Sequence, residues 1–190
     1  MIKNEKKTMR KDMISKRKLL SKNEVETKSS AILENLKSLH LMENAEHIMI
    51  YMDFRNEVKT FEFINYMKSL NKKIYIPRVN TQTNQLDTYL IESSSDLILS
   101  DYGILEPSPE MNPSDATIID LIISPGVAFT RNCDRLGYGA GFYDRFLIRT
   151  KDNVITAALS FSMQIVESLP VEDHDQRLNY VITEDTIYSK

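Results

Sequence analysis

Three of the chain's five glycines stand at alternate positions, Gly137, Gly139 and Gly141, with Arg135 just before them and Asp144 just after. A turn rarely needs more than one or two glycines. Three within five residues suit a backbone that something must approach closely. Bare backbone offers N–H donors, and the free N–H groups of a following helix turn add partial positive charge, so the guest that matches is an anion such as phosphate. A helix start holds an anion by roughly 0.3–2 kcal/mol, whereas even millimolar binding takes about 4 kcal/mol. A cation has to help, and Arg135 is the nearest. The spacing G-Y-G-A-G is neither the P-loop nor the G-x-G-x-x-G dinucleotide pattern. The plain alternative is a flexible surface loop, since glycine serves wherever φ is positive.

The elements that must position this loop are readable around it. Residues 118–123 form an apolar run broken only by Asp120, Ser124, Pro125 and Gly126 follow, and beyond the glycines Phe142 with Phe146 and Tyr143 with Leu147 stack at i, i+4. The reading is strand, loop, helix. Residues 1–20 read as a helix with Met9, Met13 and Leu20 on one face and Lys6, Arg10 and Arg17 on another. Like charges at i, i+4 repel by a few tenths of a kcal/mol, a cost relieved if an anion sits over Lys6 and Arg10. A solvated basic face is the alternative. Ser21 with Glu24 makes a capping box, opening a helix to about residue 39.

Residues 47–52 predict a strand, and Asp53 to Glu57 follow at its carboxyl end, where open α/β sheets bind ligands. Thr60 caps a helix on Phe61, Ile64, Met67 and Leu70. Residues 73–76 predict a second strand, stopped by Pro77. A parallel pair with a right-handed crossover follows from that order. Further strands are predicted at 86–91, 154–159 and 180–183, an irregular loop at 102–113, and a short helix within 160–168. His40 and His47 lack metal-ligand partners at usable spacing and read as surface or packing histidines. Strands alternating with helices predict a single three-layer α/β/α Rossmann-like domain over residues 1–190 with a mainly parallel sheet.

Composition narrows the function. At 190 residues the chain suits one domain, and its formal net charge of −3 argues against a general nucleic-acid binder. No apolar run approaches the eighteen or so residues of a membrane span. One cysteine, Cys133, excludes an internal disulfide and suits a reducing compartment. The basic start lacks a secretory core, and Glu5 and Asp12 argue against a transit peptide. A cytoplasmic location is expected.

Taken together, S-P-G-V-A-F at 124–129 and R-L-G-Y-G-A-G-F-Y-D-R-F-L at 135–147 resemble the 5-formyltetrahydrofolate cyclo-ligase family, also called methenyltetrahydrofolate synthetase. The likeness continues in K-x-x-M-R at 6–10, N-E-V-K-T at 56–60, I-P-R at 76–78 and P-V-x-x-H-D at 170–175. It implies ATP- and magnesium-dependent closure of 5-formyltetrahydrofolate to 5,10-methenyltetrahydrofolate by a monomer, with ADP and phosphate released through a phosphorylated formyl group. The resemblance places ATP on Lys6, Lys7 and Arg10 and on the run Arg135, Leu136, Gly137, Tyr138, Gly139, Ala140, Gly141, Phe142 and Tyr143. It gives magnesium to Asp144 and Asp175, the folate to Met52, Glu57 and Tyr143, and the catalytic roles to Arg135 and Tyr143. Many members carry a cation where this chain has Tyr138, and a small or basic residue at Ala140, so a side-chain phosphate contact does not carry over to either. Tyr138 is expected to stack on the folate or the adenine ring. His174, beside Asp175, receives no role.

Two other classes compete. A phosphosugar isomerase or acyl-CoA transferase on a similar scaffold predicts no ATP requirement and a catalytic carboxylate in place of a magnesium pair. A non-catalytic nucleotide sensor predicts binding without turnover.

Overall fold

Ile48, Met49 and Ile50 are fully buried, as are Leu121, Ile122 and Ile123. Runs apolar at every position mark strands covered on both faces. In the computed structural model, which describes residues 2–101, 103–172 and 175–190, these runs lie side by side at the centre of a sheet.

In chain order the elements are α1 (Ile2–Arg17), α2 (Lys22–Ser38), β1 (His47–Ile50), α3 (Phe61–Ser69), β2 (Lys73–Asn80), β3 (Gln85–Leu90), β4 (Leu97–Leu99) and β5 (Leu105–Pro107). There follow β6 (Leu121–Ser124), β7 (Ala128–Thr130), β8 (Arg135–Leu136), α4 (Phe142–Leu147), β9 (Ile155–Leu159), β10 (Ile165–Val166), β11 (Tyr180–Ile182) and β12 (Ile187–Ser189). The main sheet runs β12–β11–β9–β6–β1–β2–β3. Its neighbours from β11 to β2 are parallel, and β12 and β3 close the two edges antiparallel. This is the mainly parallel α/β arrangement that the sequence predicts.

Side-chain alternation divides the core in two. Ile48, Ile50, Ile74, Ile76, Leu121, Ile123, Ala157 and Leu159 point to one face, where Val25, Ile32, Leu36, Phe63 and Met67 from α2 and α3 cover them. Met49, Tyr75 and Ile122 point to the other, against Phe146 of α4. The capping box forms as expected: Ser21 Oγ accepts from Glu24 N, and Glu24 Oε2 accepts from Ser21 N at 2.8 Å.

Four local expectations are corrected. Pro77 does not end β2, which continues to Asn80 against β3. Pairing with β1 stops at Tyr75, and Ile74 O accepts from Ile91 N on the β3 side, so alternation turns Pro77 toward the side where no donor is required. The segment after β6 is not strand, loop, helix. A hairpin of β7 and β8 intervenes, paired Ala128 to Leu136 and Phe129 to Arg135. Residues 160–168 form a 3-10 turn, Ser162–Gln164, and the short strand β10 in place of a helix, because Gln164 Nε2 reaches back to Gly126 O and Val127 O and pulls the segment alongside β7. The stretch 102–113, read as irregular, contains β5, paired with β4; Tyr102 lies outside the described residues. His40 bonds Glu43 on the surface, and His47 bonds Tyr75, as a surface and a packing histidine should.

The hold of α2 on the sheet can be measured. Leu36 is 0% exposed, so Leu36→Ala is expected to cost about 2–5 kcal/mol, read as a lower urea midpoint at unchanged slope.

Candidate active site

Strand order reverses between β1 and β6: the chain leaves β1 for β2 on one side and β6 for β9 on the other. At such a switch point the loops after the two strands diverge and open a crevice at their carboxyl ends. Both loops carry predicted site residues. Glu57 follows β1, and the hairpin and glycine run follow β6.

A cleft of about 890 Å3 opens here, walled by Lys6, Lys7 and Arg10 of α1, by 135–144, and by Glu172 and Asp175. Helix α1 reaches the site because Met13 packs with Val127, Ala128 and Leu136 of the hairpin. That contact turns the basic face inward, so the alternative of a solvated face fails. Lys6 is 6% exposed and Arg17 3%. Lys6 Nζ donates to Asp175 Oδ2 at 2.6 Å and to Glu172 Oε2 at 2.9 Å. Burial lowers the Lys6 pKa, and the bonds to the two carboxylates outweigh it and hold the group above its ordinary value.

The glycine loop rests on two arginines. Arg10 Nε donates to Gly137 O at 2.8 Å, and its guanidinium lies under Gly139, where an added Cβ would come within 3.3 Å of Arg10 Cζ. Gly139 also holds φ at 107°, which L side chains rarely adopt. Arg135 is buried; it donates to Asp144 Oδ1 at 2.7 Å and lies over the Tyr143 ring at 5.6 Å. Its Nε is buried without a hydrogen-bond partner among the described residues. Helix α4 has only six residues and starts on Gly141 without a side-chain cap. Cations and bare backbone therefore line this part of the cleft, with little from a helix dipole. Burial raises the Tyr143 pKa, against the pull of Arg135, so this hydroxyl stays protonated and can donate.

Asp144 and Asp175 face the same cleft, and Gln176 N donates to Asp144 Oδ1 at 3.4 Å. Asp144 does not cap the helix; its oxygen goes to Arg135. His174 and Asp173 lie outside the described residues.

Glu57 and Met52 are not cleft wall. Met52 packs half-buried against the large core. Glu57 is buried behind Tyr138, whose hydroxyl donates to Glu57 Oε1 and accepts from Arg17 at 2.8 Å. Tyr138 as a residue is 48% exposed while its hydroxyl is bound to Glu57 and Arg17. Glu57 Oε2 accepts from Phe54 N at 2.9 Å, closing a tight turn in which Arg55 and Asn56 both hold positive φ, 46° and 54°. Burial raises the Glu57 pKa, while Tyr138, Arg17 and the Phe54 N–H pull it down; the net position is above the ordinary carboxylate value. Arg17 and Glu172 are site residues the sequence reading did not assign. Arg17 shares the helical face of Lys6 and Arg10, which is the signal that could have placed it.

The sequence profile of the 5-formyltetrahydrofolate cyclo-ligase family matches residues 2–184. The chain belongs to that family. A 5-formyltetrahydrofolate cyclo-ligase from Mus musculus is 28% identical over 191 residues, spanning 95% of this chain and 94% of its own. One from Haemophilus influenzae is 32% identical over 143 residues, spanning 73% and 76%. The solved 5,10-methenyltetrahydrofolate synthetase of Aquifex aeolicus superposes with a TM-score of 0.84 at 30% identity, over 97% of this chain and 92% of that one. The family is thus shown along nearly the whole cyclo-ligase chain, glycine loop and acidic segment included. No helix among the described residues is long and apolar enough to cross a membrane.

Because the Tyr138 hydroxyl lowers the Glu57 pKa, Tyr138→Phe is expected to move the Glu57 titration upward. Carbon-13 NMR of the glutamate carboxyls across pH 4–9 checks it.

Proposed function

We propose that this cyclo-ligase closes 5-formyltetrahydrofolate to 5,10-methenyltetrahydrofolate at the expense of ATP, releasing ADP and phosphate. The observation that carries the reading is the meeting of Lys6, Arg10, Arg135 and the glycine run around one cleft, with two aspartates at its wall. The relatives' names supply the two ends of the reaction, a formyl folate consumed and a methenyl folate made.

Ring closure must expel the formyl oxygen, a poor leaving group. In the proposed step that oxygen attacks the γ-phosphorus of ATP and the bond to ADP breaks. The product is an iminium phosphate; N10 attacks its carbon and loses a proton, and the C–O bond breaks to release phosphate. Such transfer needs positioning and neutralised charge more than a protein nucleophile. Arg10 and Arg135 would hold the phosphates, with the N–H groups of Gly139 and Gly141 beside them. Lys6, paired with Asp175 and Glu172 in the free protein, would exchange a carboxylate partner for phosphate. Tyr143, protonated and beside Arg135, would donate to charge on the reacting oxygen. Glu57 would accept the pterin's N–H and amino donors.

Asp144 and Asp175 suit magnesium, which takes one or two carboxylates together with phosphate oxygens and water. Among the described residues no group of three or more His, Cys, Asp or Glu side chains could hold a metal, so nucleotide oxygens and water would complete the shell. When bound, the ion would neutralise charge on the phosphates. A monomer working in the cytoplasm, without nucleic-acid or membrane partners, completes the proposal.

The test mixes protein, magnesium-ATP and 5-formyltetrahydrofolate and follows near-ultraviolet absorbance of the methenyl product. Turnover that stops on chelation of magnesium is expected, and no product from folded protein overturns the reading. In the same assay Arg135→Ala should raise the KM for ATP about tenfold or more, since a hydrogen bond to a charged group contributes about 1.5–3 kcal/mol. An unchanged ATP dependence would refute that role.

A further inference from the structure

Arg17 is 3% exposed, has an orphan Nε, and belongs to no step so far described. A buried guanidinium persists only where it has partners. Its three are the Tyr138 hydroxyl at 2.8 Å, Arg55 O at 3.4 Å and Glu57 Oε1 at 3.8 Å. Lys6 and Arg17 stand eleven residues apart on one face, about 16 Å along the helix axis. One end of α1 therefore serves the phosphate cleft and the other serves Glu57.

Resting on the reading above, we propose that Arg17 is a positioning residue for the reaction, the counter-cation that fixes the Glu57 carboxylate as the acceptor for the pterin's N–H groups. Tyr138 now occupies the Glu57 oxygen such a donor would take. Once the substrate displaces that hydroxyl, Arg17 is the only cation among the described residues within ion-pair distance of Glu57.

The groups facing Glu57 come from four elements. Arg17 is on α1, Tyr138 on the glycine run and Tyr143 on α4; Tyr51 and Asp53 follow β1. Asp53 opposes ionisation of Glu57, but Lys59 pairs with it at 2.8 Å. The two other tyrosines, Tyr51 and Tyr143, are held protonated by burial. Arg17 is thus the positive charge that keeps the site's acceptor charged.

The experiment measures binding of 5-formyltetrahydrofolate to the intact chain by calorimetry across pH 5.5–8.5, with ATP binding in parallel. For Arg17→Met the acid limb of folate affinity should move upward by about one to three pH units, the usual effect of an adjacent opposite charge. Folate affinity at pH 7 should then fall about tenfold or more, ATP affinity should change less than about twofold, and Arg17→Lys should restore most of the loss. Glu57→Gln should abolish the acid limb. A wild-type pH profile in Arg17→Met, equal loss of both ligands, or an acid limb surviving in Glu57→Gln overturns the proposal. If Arg17→Met does not fold, Arg17→Lys and Glu57→Gln decide by the same limb. Carbon-13 titration of Glu57 in the free Arg17 variant separates this idea from the reaction assignment: an upward move supports the pairing even if no folate turns over, and an unmoved titration sinks it.

Discussion

Burying charge in this protein depends on partners fetched from far along the chain. Lys6 meets Glu172 and Asp175 across 166 and 169 residues, and Tyr138 meets Glu57 across 81. An isolated ion taken out of water costs several kcal/mol even after relaxation, so α1 can lie against the hairpin with these charges buried only if the acidic segment and the loop after β1 are in place to pair with them. The apolar contact of Met13 with the hairpin sets the helix down, and the ion pairs fix its rotation.

That arrangement makes the cleft a set of rehearsed contacts. Three cations that would face phosphate already bond an acceptor of the protein, Lys6 to carboxylates, Arg10 to a backbone carbonyl and Arg135 to Asp144. On the proposed reading, ligand binding would be an exchange of partners, which spares the desolvation cost of assembling like charges anew. Tyr138 would do the same for Glu57, standing where the proposed reading puts a donor from the substrate.

Much of this could be read from the residues in advance. Continuous apolar runs gave β1 and β6, the Ser21–Glu24 box gave the start of α2, and glycine spacing gave the loop. What escaped was decided by distance. The hairpin β7–β8 is two to three residues a strand, too short for any period to show. Pro77 looks like a stop until the end of β1 is known. The burial of Lys6, Arg17 and Glu57 was not legible, because the groups that pair with them are remote in sequence.

The turn from Phe54 to Glu57 carries a last consequence. Two consecutive non-glycine residues in left-handed geometry store strain, on the order of 1–3 kcal/mol each in general and less for asparagine. Asn56 Nδ2 to Leu20 O at 2.9 Å and the Phe54–Glu57 bond hold them there. The molecule therefore trades resilience for aim: a glycine at Arg55 would let the corner relax and survive more heat, while the acid it presents would lose its bearing.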